Sequence, residues 1–259
     1  MRASPIIVTR PSAAGQRLVD SLTERGHRVL WWPAFDIGPA PDVAAAREAL
    51  SRLASYHLAL FVSVNAVRAA GPFLSGDWPR DTAIGAVGPV TRAAVEAELR
   101  LDARTTVIAP DIDDESGSEA FWRVWQARGQ TATRVLILRA EDGREWLAQR
   151  FIATGAHVDA IAVYSRQPHC LSRVDLTQMQ DCIDAGVVPT IIFSSSETIA
   201  TLDAQVTASA QEWLRSGTAI CTHPRIGEQL RDAGYARVID AAVDDDSIIA
   251  KLESVALKR

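Results

Sequence analysis

Polar side chains follow most of the predicted β-strands of this 259-residue chain, at the points where a strand gives way to a helix. Hydroxyl, amide and guanidinium groups there, together with the free N–H groups of a helix N-terminus, can bind the carboxylates or phosphates of a small ligand. The same side chains can instead cap the following helix, and each stretch taken alone favours capping. The stretches are VTRPS (8–12), FVSVN (61–65), AIGAVG (83–88), LRAEDGRE (138–145), FSSSET (193–198) and CTHPR (221–225).

A phenol stands at the end of one apolar run. Tyr164 closes the strand pattern in VDAIAVYSRQP (158–168), whereas the similar run RVLWWPAFDIGP (28–39) has Phe35 at the matching place. A phenol is protonated at neutral pH and can donate its proton to a leaving oxygen atom. The alternative is a structural role, in which the aromatic ring anchors the segment by packing. The pattern alone leaves both roles open.

Motifs of several other kinds of site are absent from the sequence. The chain has no G-x-G-x-x-G after its first predicted strand, and no P-loop, H-E-x-x-H or G-x-S-x-G motif. Its five histidines are scattered and its three cysteines lack metal-type spacing, so we expect no metal site and reduced thiols. The acidic runs 111–119 and 244–247 lack the spacing of a calcium loop and predict helix starts.

Composition indicates a globular protein with one large domain or two ordinary ones. The chain is 47% hydrophobic and 23% charged, with a formal net charge of −5. No cluster of lysine and arginine stands out, so a nucleic acid is a poor partner. No apolar run approaches the roughly 18 residues of a membrane span, and the N-terminus lacks a secretory pattern. We therefore expect no membrane contact and a cytoplasmic location.

Short β-rich runs alternate with amphipathic stretches along the chain. About ten strand candidates, from 5–10 to 236–241, are separated by segments with apolar residues near i, i+3 and i+4. One helix start is predicted from DGRE (142–145), which has capping-box spacing with Asp in place of Ser or Thr. Alternation of this kind predicts parallel sheets flanked by helices, and ten strands exceed one compact sheet. The fold class is therefore α/β with two sheets.

An internal repeat divides the chain. Residues 8–35 match residues 137–164 at a constant offset of 129, which places Arg10 over Arg139 and Phe35 over Tyr164. A second pairing sets LALFVSVNAVRAA over TIIFSSSETIATL. The simplest architecture is two parallel-sheet α/β lobes related by duplication and joined by a two-strand hinge. The predicted boundaries are 1–33 plus 167–259 for lobe 1, 38–160 for lobe 2, and 33–38 and 160–167 for the crossings.

A succession of segments resembles the uroporphyrinogen-III synthases. The segments are VTRP, PAFDI, LALFVSVNAV, TAIGAVGPVT, RVLILRAEDGREWL, GAHVDAIAVY and TIIFSSSETI, which follow one another along nearly the whole chain. The resemblance implies an enzyme of tetrapyrrole (haem) biosynthesis that needs no cofactor and binds linear hydroxymethylbilane between two α/β lobes. Such an enzyme removes water from the hydroxymethyl group of the first pyrrole. It then closes the macrocycle through a spiro intermediate, which inverts the last ring.

The resemblance also implies roles for individual residues. Tyr164 corresponds to the family's tyrosine at the end of the second crossing and would help the hydroxyl group to leave, while Phe35 would be structural. Arg139 and Arg166 would assist, or either would simply pair with a surface carboxylate. The implied partners are hydroxymethylbilane and, as an open alternative, the upstream and downstream tetrapyrrole enzymes. The implied substrate-binding residues are Thr9, Arg10, Ser63, Asn65, Gly85, Arg139, Ser194, Ser195, Ser196 and Thr222.

One segment departs from the family pattern, and one alternative function stays open. AICTHPRIGEQL (219–230) has Cys221 and Thr222 where the commoner form has a glycine after the isoleucine and a threonine near the helix start. The match to the family pattern is therefore weakest at this segment. The alternative is a non-catalytic two-lobed protein that binds or senses a tetrapyrrole or another small ligand, because a fold does not fix a function.

Overall fold

The computed structural model describes residues 4–74, 76–111 and 116–256, in which strands and helices alternate. The strands are β1 (Ile6–Val8), β2 (Val29–Trp31), β3 (Phe35–Gly38), β4 (Leu58–Phe61), β5 (Ala83–Ala86), β6 (Val107–Ile108), β7 (Arg134–Ala140), β8 (His157–Pro168), β9 (Thr190–Phe193), β10 (Thr218–Cys221) and β11 (Arg237–Asp240). The helices are α1 (Ser12–Glu24), α2 (Val43–Ser51), α3 (Val64–Ala70), α4 (Pro89–Glu98), α5 (Ser118–Ala127), α6 (Trp146–Ala153), α7 (Arg173–Asp184), α8 (Glu197–Asp203), α9 (Ala208–Ser216), α10 (Pro224–Asp232) and α11 (Asp245–Ala256).

The strands form two sheets. One has five strands in the order β11-β10-β9-β1-β2, and every neighbouring pair is parallel. The other has six strands in the order β3-β8-β7-β4-β5-β6, with parallel pairing from β8 to β6. The chain divides into two compact units: unit 1 contains the residues up to Asp36 and those from Gln167 onward, and unit 2 contains Ile37–Arg166. The predicted α/β class with parallel sheets is confirmed.

The two sheets share one strand order. The sequence repeat matches β1 to β7, β2 to β8 and β9 to β4. Under that matching, β11-β10-β9-β1-β2 corresponds to β6-β5-β4-β7-β8, and β3 is an additional strand beside β8. The shared order supports two α/β bodies of common origin. It also places equivalent strand ends at equivalent positions in the two units.

The central strands of both sheets are buried on both faces. Successive side chains of a strand point to opposite faces, so each such strand contributes to two hydrophobic clusters. In β1, Ile7 belongs to one hydrophobic cluster, whereas Ile6 and Val8 belong to another. The residues of β4 divide in the same way between the two clusters of unit 2. The strands therefore have few polar residues, and the polar groups gather where the strands end. Among the residues described, no helix is both long and apolar enough to cross a membrane.

The start of α6 shows that the capping box predicted at 142–145 is wrong. The helix begins at Trp146, and Glu145 before it makes no side-chain cap. The Glu145 carboxylate instead accepts a hydrogen bond from Arg139 at 2.5 Å, so an ion pair occupies the group that the cap would need. The helix start predicted at 244–247 is confirmed, because Asp244 accepts from the backbone N–H of Ser247 at 2.8 Å. The acidic run 111–119 leads into α5, but its residues 112–115 lie outside the described residues.

Candidate active site

Tyr164 lies near the end of β8, and its ring is part of the core of unit 2. The residue is 1% exposed and belongs to the same hydrophobic cluster as Phe61 and Ala66. Its hydroxyl oxygen lies 3.1 Å from Ser63 Oγ, and either oxygen can be the donor. Strand β7 separates β8 from β4 in the sheet, so the phenol reaches across one strand to the residue that follows β4. The structure thus joins two of the predicted site residues, which are 101 positions apart in the sequence.

Ser63 is the N-cap residue of α3. Its Oγ accepts a hydrogen bond from the backbone N–H of Ala66 at 3.1 Å, and its side chain is half-buried. Asn65, in the first turn of the same helix, is also half-buried, and its side-chain amide has no hydrogen-bond partner within the described part of the chain. The carboxyl end of β4 therefore presents a serine hydroxyl that caps α3 and lies beside a phenol. It also presents an amide side chain without a hydrogen-bond partner among the described residues.

Two glycines in and after β5, Gly85 and Gly88, have different surroundings. Gly85 lies inside β5, where an added Cβ would be 2.6 Å from Leu60 Cδ1 and 2.8 Å from Phe121 Cζ. Its close neighbours are core side chains, so the position has a packing role. Gly88, which the site prediction did not include, is the N-cap residue of α4 and has no side chain to satisfy the first N–H groups of that helix. The Gly-Pro pair just after β5, which marks this helix start, was visible in the sequence.

Arg139 and Arg166 are both occupied by nearby acceptors. Arg139, in β7, donates to the carbonyl oxygen of Gly143 and to Glu145 in the loop that follows its own strand. Arg166 lies 3.9 Å from Asp142, which matches the surface pairing given above as its alternative role. The terminal nitrogens of Arg139 would have to exchange Glu145 for a substrate carboxylate, while its Nε is buried without an acceptor among the described residues.

In unit 1, Thr9 and Arg10 are held at the end of β1. The Thr9 hydroxyl is fully buried and donates to the carbonyl oxygen of Ile192 in β9 at 2.7 Å. The side chain of Arg10 is 12% exposed, and it donates to Asp245 at 2.5 Å and to the carbonyl oxygen of Val243 at 2.6 Å. Both groups join the strand to distant segments of its own unit, so neither is free for a ligand in this structure.

The serines after β9 include unused hydroxyls. Ser194 Oγ is buried without a hydrogen-bond partner, and so is the hydroxyl of Thr198, a residue the site prediction did not include. Ser195 Oγ accepts from the backbone N–H of Glu197 at 3.3 Å, whereas Ser196 precedes α8 without a side-chain cap. A buried hydroxyl without a partner is costly. Ser194, half-buried directly after β9, is therefore the unit 1 residue best placed to gain a ligand bond, whereas Thr198 is fully buried in the core.

The segment that departs from the family pattern has no reactive thiol. Cys221 ends β10 and donates through its Sγ to Asp240 Oδ1 at 3.1 Å. Burial, followed by the neighbouring Asp240 carboxylate, raises the pKa of the Cys221 thiol to about 12. Thr222 next to it is half-buried, and its side chain makes no hydrogen bond to any residue that the structure describes. A thiol with so high a pKa is a poor nucleophile at neutral pH, so Cys221 serves as a packing residue.

A cavity of about 500 Å³ lies elsewhere in unit 2. Its walls come from the C-terminal ends of α2 and α4 and from residues 76–79, which are at the amino end of the strands. None of the predicted site residues lines it. In the described ranges, no three His, Cys, Asp or Glu side chains are grouped so that they could hold a metal ion. The polar groups available for chemistry are therefore those at the carboxyl ends of the strands.

Comparison with known proteins identifies the family of this chain. A family model described as uroporphyrinogen-III synthase HemD matches residues 16–250. Two curated relatives named uroporphyrinogen-III synthase, from Salmonella typhimurium and Escherichia coli, are each 26% identical to this chain over 254 residues. In both cases the match covers 96% of this chain and 99% of the relative.

Two solved structures share the fold. A mutant uroporphyrinogen III synthase from Thermus thermophilus aligns with a TM-score of 0.61 at 15% identity, covering 99% of this chain and 100% of that one. A uroporphyrinogen-III synthetase from Helicobacter pylori aligns with a TM-score of 0.59 at 14% identity, covering 97% of this chain and 99% of that one. Because the family model matches residues 16–250 of this chain, the chain belongs to the uroporphyrinogen-III synthase family.

Proposed function

We propose that this protein is a cyclising lyase that converts hydroxymethylbilane into uroporphyrinogen III, with loss of water and inversion of the last pyrrole ring. Membership of the uroporphyrinogen-III synthase family supports this reaction. The structural observation that carries it is the contact between Tyr164 and Ser63, which sets a proton-bearing pair at the carboxyl end of β4. Loss of water from a hydroxymethyl group needs such a proton, because hydroxide is a poor leaving group.

Each unit offers neutral donors that suit a ligand carboxylate. In unit 2 these are the amide of Asn65 and the N–H groups in the first turn of α4 after Pro89, which Gly88 leaves without a side-chain cap. In unit 1 the donor is the hydroxyl of half-buried Ser194, which has no partner among the described residues and would gain one from the ligand. Donors that are fixed before the substrate arrives position it without reorganisation, and positioning is the main catalytic requirement of a ring closure.

The roles of the two bound arginines follow from their partners. We propose that Arg10 and Arg139 hold their own loops in place, since each already has a carboxylate and a carbonyl oxygen as acceptors. Thr9 likewise holds β1 to β9. A nucleic acid, a membrane and the neighbouring enzymes of the pathway are not needed for this chemistry. It stays a prediction that the protein binds neither a nucleic acid nor a membrane. A cytoplasmic location is likewise a prediction.

A rate measurement separates this function from ligand binding alone. Freshly made hydroxymethylbilane is mixed with the purified protein, and its disappearance is compared with that in a heat-inactivated sample. An enzyme accelerates the disappearance in proportion to its concentration, at catalytic amounts. A tetrapyrrole-binding or sensor protein would leave the rate unchanged, or would slow it once protein and substrate are equimolar, and that result would remove the proposal.

A further inference from the structure

We infer that Ser63 is the group that transfers the proton to the departing hydroxyl, and that Tyr164 is a positioning residue that acts through Ser63. The inference rests on the proposed function and adds to it the order in which the two hydroxyls act. It reverses the roles implied by sequence resemblance, where Tyr164 assists the leaving group and Ser63 only binds substrate.

Burial is the first reason. Tyr164 is 1% exposed, with its ring in the core cluster of unit 2, so a substrate bound at the surface of this unit has little access to the phenol. Ser63 is half-buried and stands at the carboxyl end of β4, where a parallel sheet presents its ligand-binding groups. Of the two oxygens in the pair, the serine oxygen is therefore the one that a substrate can reach.

Hydrogen-bond capacity is the second reason. A serine hydroxyl has one proton to donate and two lone pairs that accept. Ser63 Oγ already accepts from the backbone N–H of Ala66. If Tyr164 donates to the other lone pair, the acceptor capacity of Ser63 is filled, and its single proton is left for the substrate.

The opposite orientation leaves the pair worse satisfied. If Ser63 donated to Tyr164, the phenolic proton would have no acceptor among the residues described, since Ser63 is the hydrogen-bond partner that the structure gives this hydroxyl. A buried donor without an acceptor is costly. The better-satisfied arrangement is thus Tyr164 to Ser63 to substrate, which is a two-step proton path.

The proton balance closes over one turnover. The C–O bond of the hydroxymethyl group breaks, and its electron pair stays with oxygen, which takes the Ser63 proton and leaves as water. The lone pair of the pyrrole nitrogen stabilises the cationic methylene carbon that remains. Ser63 regains a proton from Tyr164. The cationic methylene carbon bonds to the substituted α-carbon of the last pyrrole, the bond from that carbon to its original methylene bridge breaks, and the freed methylene bonds to the unsubstituted α-carbon. That carbon then loses its proton, which restores the phenol.

Four single variants, three at Ser63 and Tyr164→Phe, and one double variant test the order. Ser63→Ala removes the hydroxyl, Ser63→Asn removes it but keeps an oxygen that can cap α3, and Ser63→Thr keeps both. In wild-type protein the formation of uroporphyrinogen III is measured first, so that failure of the proposed function is seen separately. We expect Ser63→Ala and Ser63→Asn to lower kcat by about 100-fold with little change in KM, and Ser63→Thr to restore most of the turnover.

The double variant distinguishes a path in series from two independent groups. We expect Tyr164→Phe alone to lower kcat by about 10-fold, since Ser63 keeps its own proton but loses the group that orients it. In the Ser63→Ala background, Tyr164→Phe should lower kcat no further, because groups acting as one unit are not additive. Unfolding curves for each variant show whether a lost rate reflects lost structure.

Two results would overturn the inference while the synthase function stands. One is a Ser63→Asn protein with wild-type kcat and a raised KM, which would make Ser63 a substrate-binding residue. The other is a double variant whose loss of kcat equals the product of the two single losses, which would make Tyr164 an independent donor.

Discussion

Replacement of Gly85 by alanine tests whether this residue packs the core or binds substrate. The added Cβ would lie 2.6 Å from Leu60 Cδ1 and 2.8 Å from Phe121 Cζ. Carbon atoms in contact prefer separations of about 3.5–4.0 Å, so side chains of the buried cluster must move. Overpacking of this kind costs about 1–3 kcal/mol. For a unit of this size the cost should lower the Tm by roughly 3–12 °C.

Thermal unfolding followed by circular dichroism measures the stability loss, and steady-state kinetics well below the transition measures function. If Gly85 packs, Gly85→Ala lowers the Tm but leaves kcat and KM close to the wild-type values. Its cost should be smaller in a Leu60→Ala background, because the closest clashing atom is then absent. A variant with wild-type Tm and a strongly raised KM would refute this reasoning and would assign the Gly85 backbone to substrate binding.

Three further predictions follow from particular contacts. Thr9→Val removes the hydrogen bond to Ile192 and should destabilise unit 1 by about 1 kcal/mol without changing kcat, as urea unfolding and kinetics can check; a large loss of kcat would contradict a structural role. Burial raises the pKa of the Cys221 thiol to about 12, so iodoacetamide at neutral pH should modify exposed Cys170 and spare Cys221. Mass spectrometry of peptides reads the labelling, and equal labelling of the two cysteines would contradict the prediction. Burial and then the hydrogen bond to Asp159 raise the pKa of Tyr56 from 10.0 to about 12. The folded state therefore keeps a proton that the unfolded state loses, and stability should fall as pH rises from 10 to 12, with a shallower fall in Tyr56→Phe; equal slopes in both proteins would contradict it.

The parts of the fold that depend on local pattern could be predicted from the sequence. Alternating apolar strands and amphipathic helices have periods that are visible in the residues themselves, and they gave the α/β class and the parallel sheets. The polar residues after each strand were visible for the same reason. The repeat that relates Arg10 to Arg139 is also a property of the sequence, and the shared strand order of the two sheets agrees with it.

The roles of individual site residues depend on partners far away in the sequence. The acceptor of Thr9 is 183 residues away, and that of Arg10 is 235 residues away, so a strand-end hydroxyl and a strand-end guanidinium could not be recognised as structural. Glu145 had the spacing of a helix cap, but an arginine six residues earlier binds its carboxylate. The contact of Tyr164 with Ser63 likewise depends on strand order, which places β8 one strand away from β4.

The isomer of the product tests the central claim most directly. Hydroxymethylbilane closes on its own to uroporphyrinogen I, whereas a synthase of this family directs closure to the type III isomer. A fixed amount of hydroxymethylbilane is incubated with rising concentrations of the purified protein, without added metal or cofactor, and the oxidised products are separated by chromatography. We expect the type III fraction to rise with protein concentration until it is the main product. Type I alone at every concentration would contradict the synthase function.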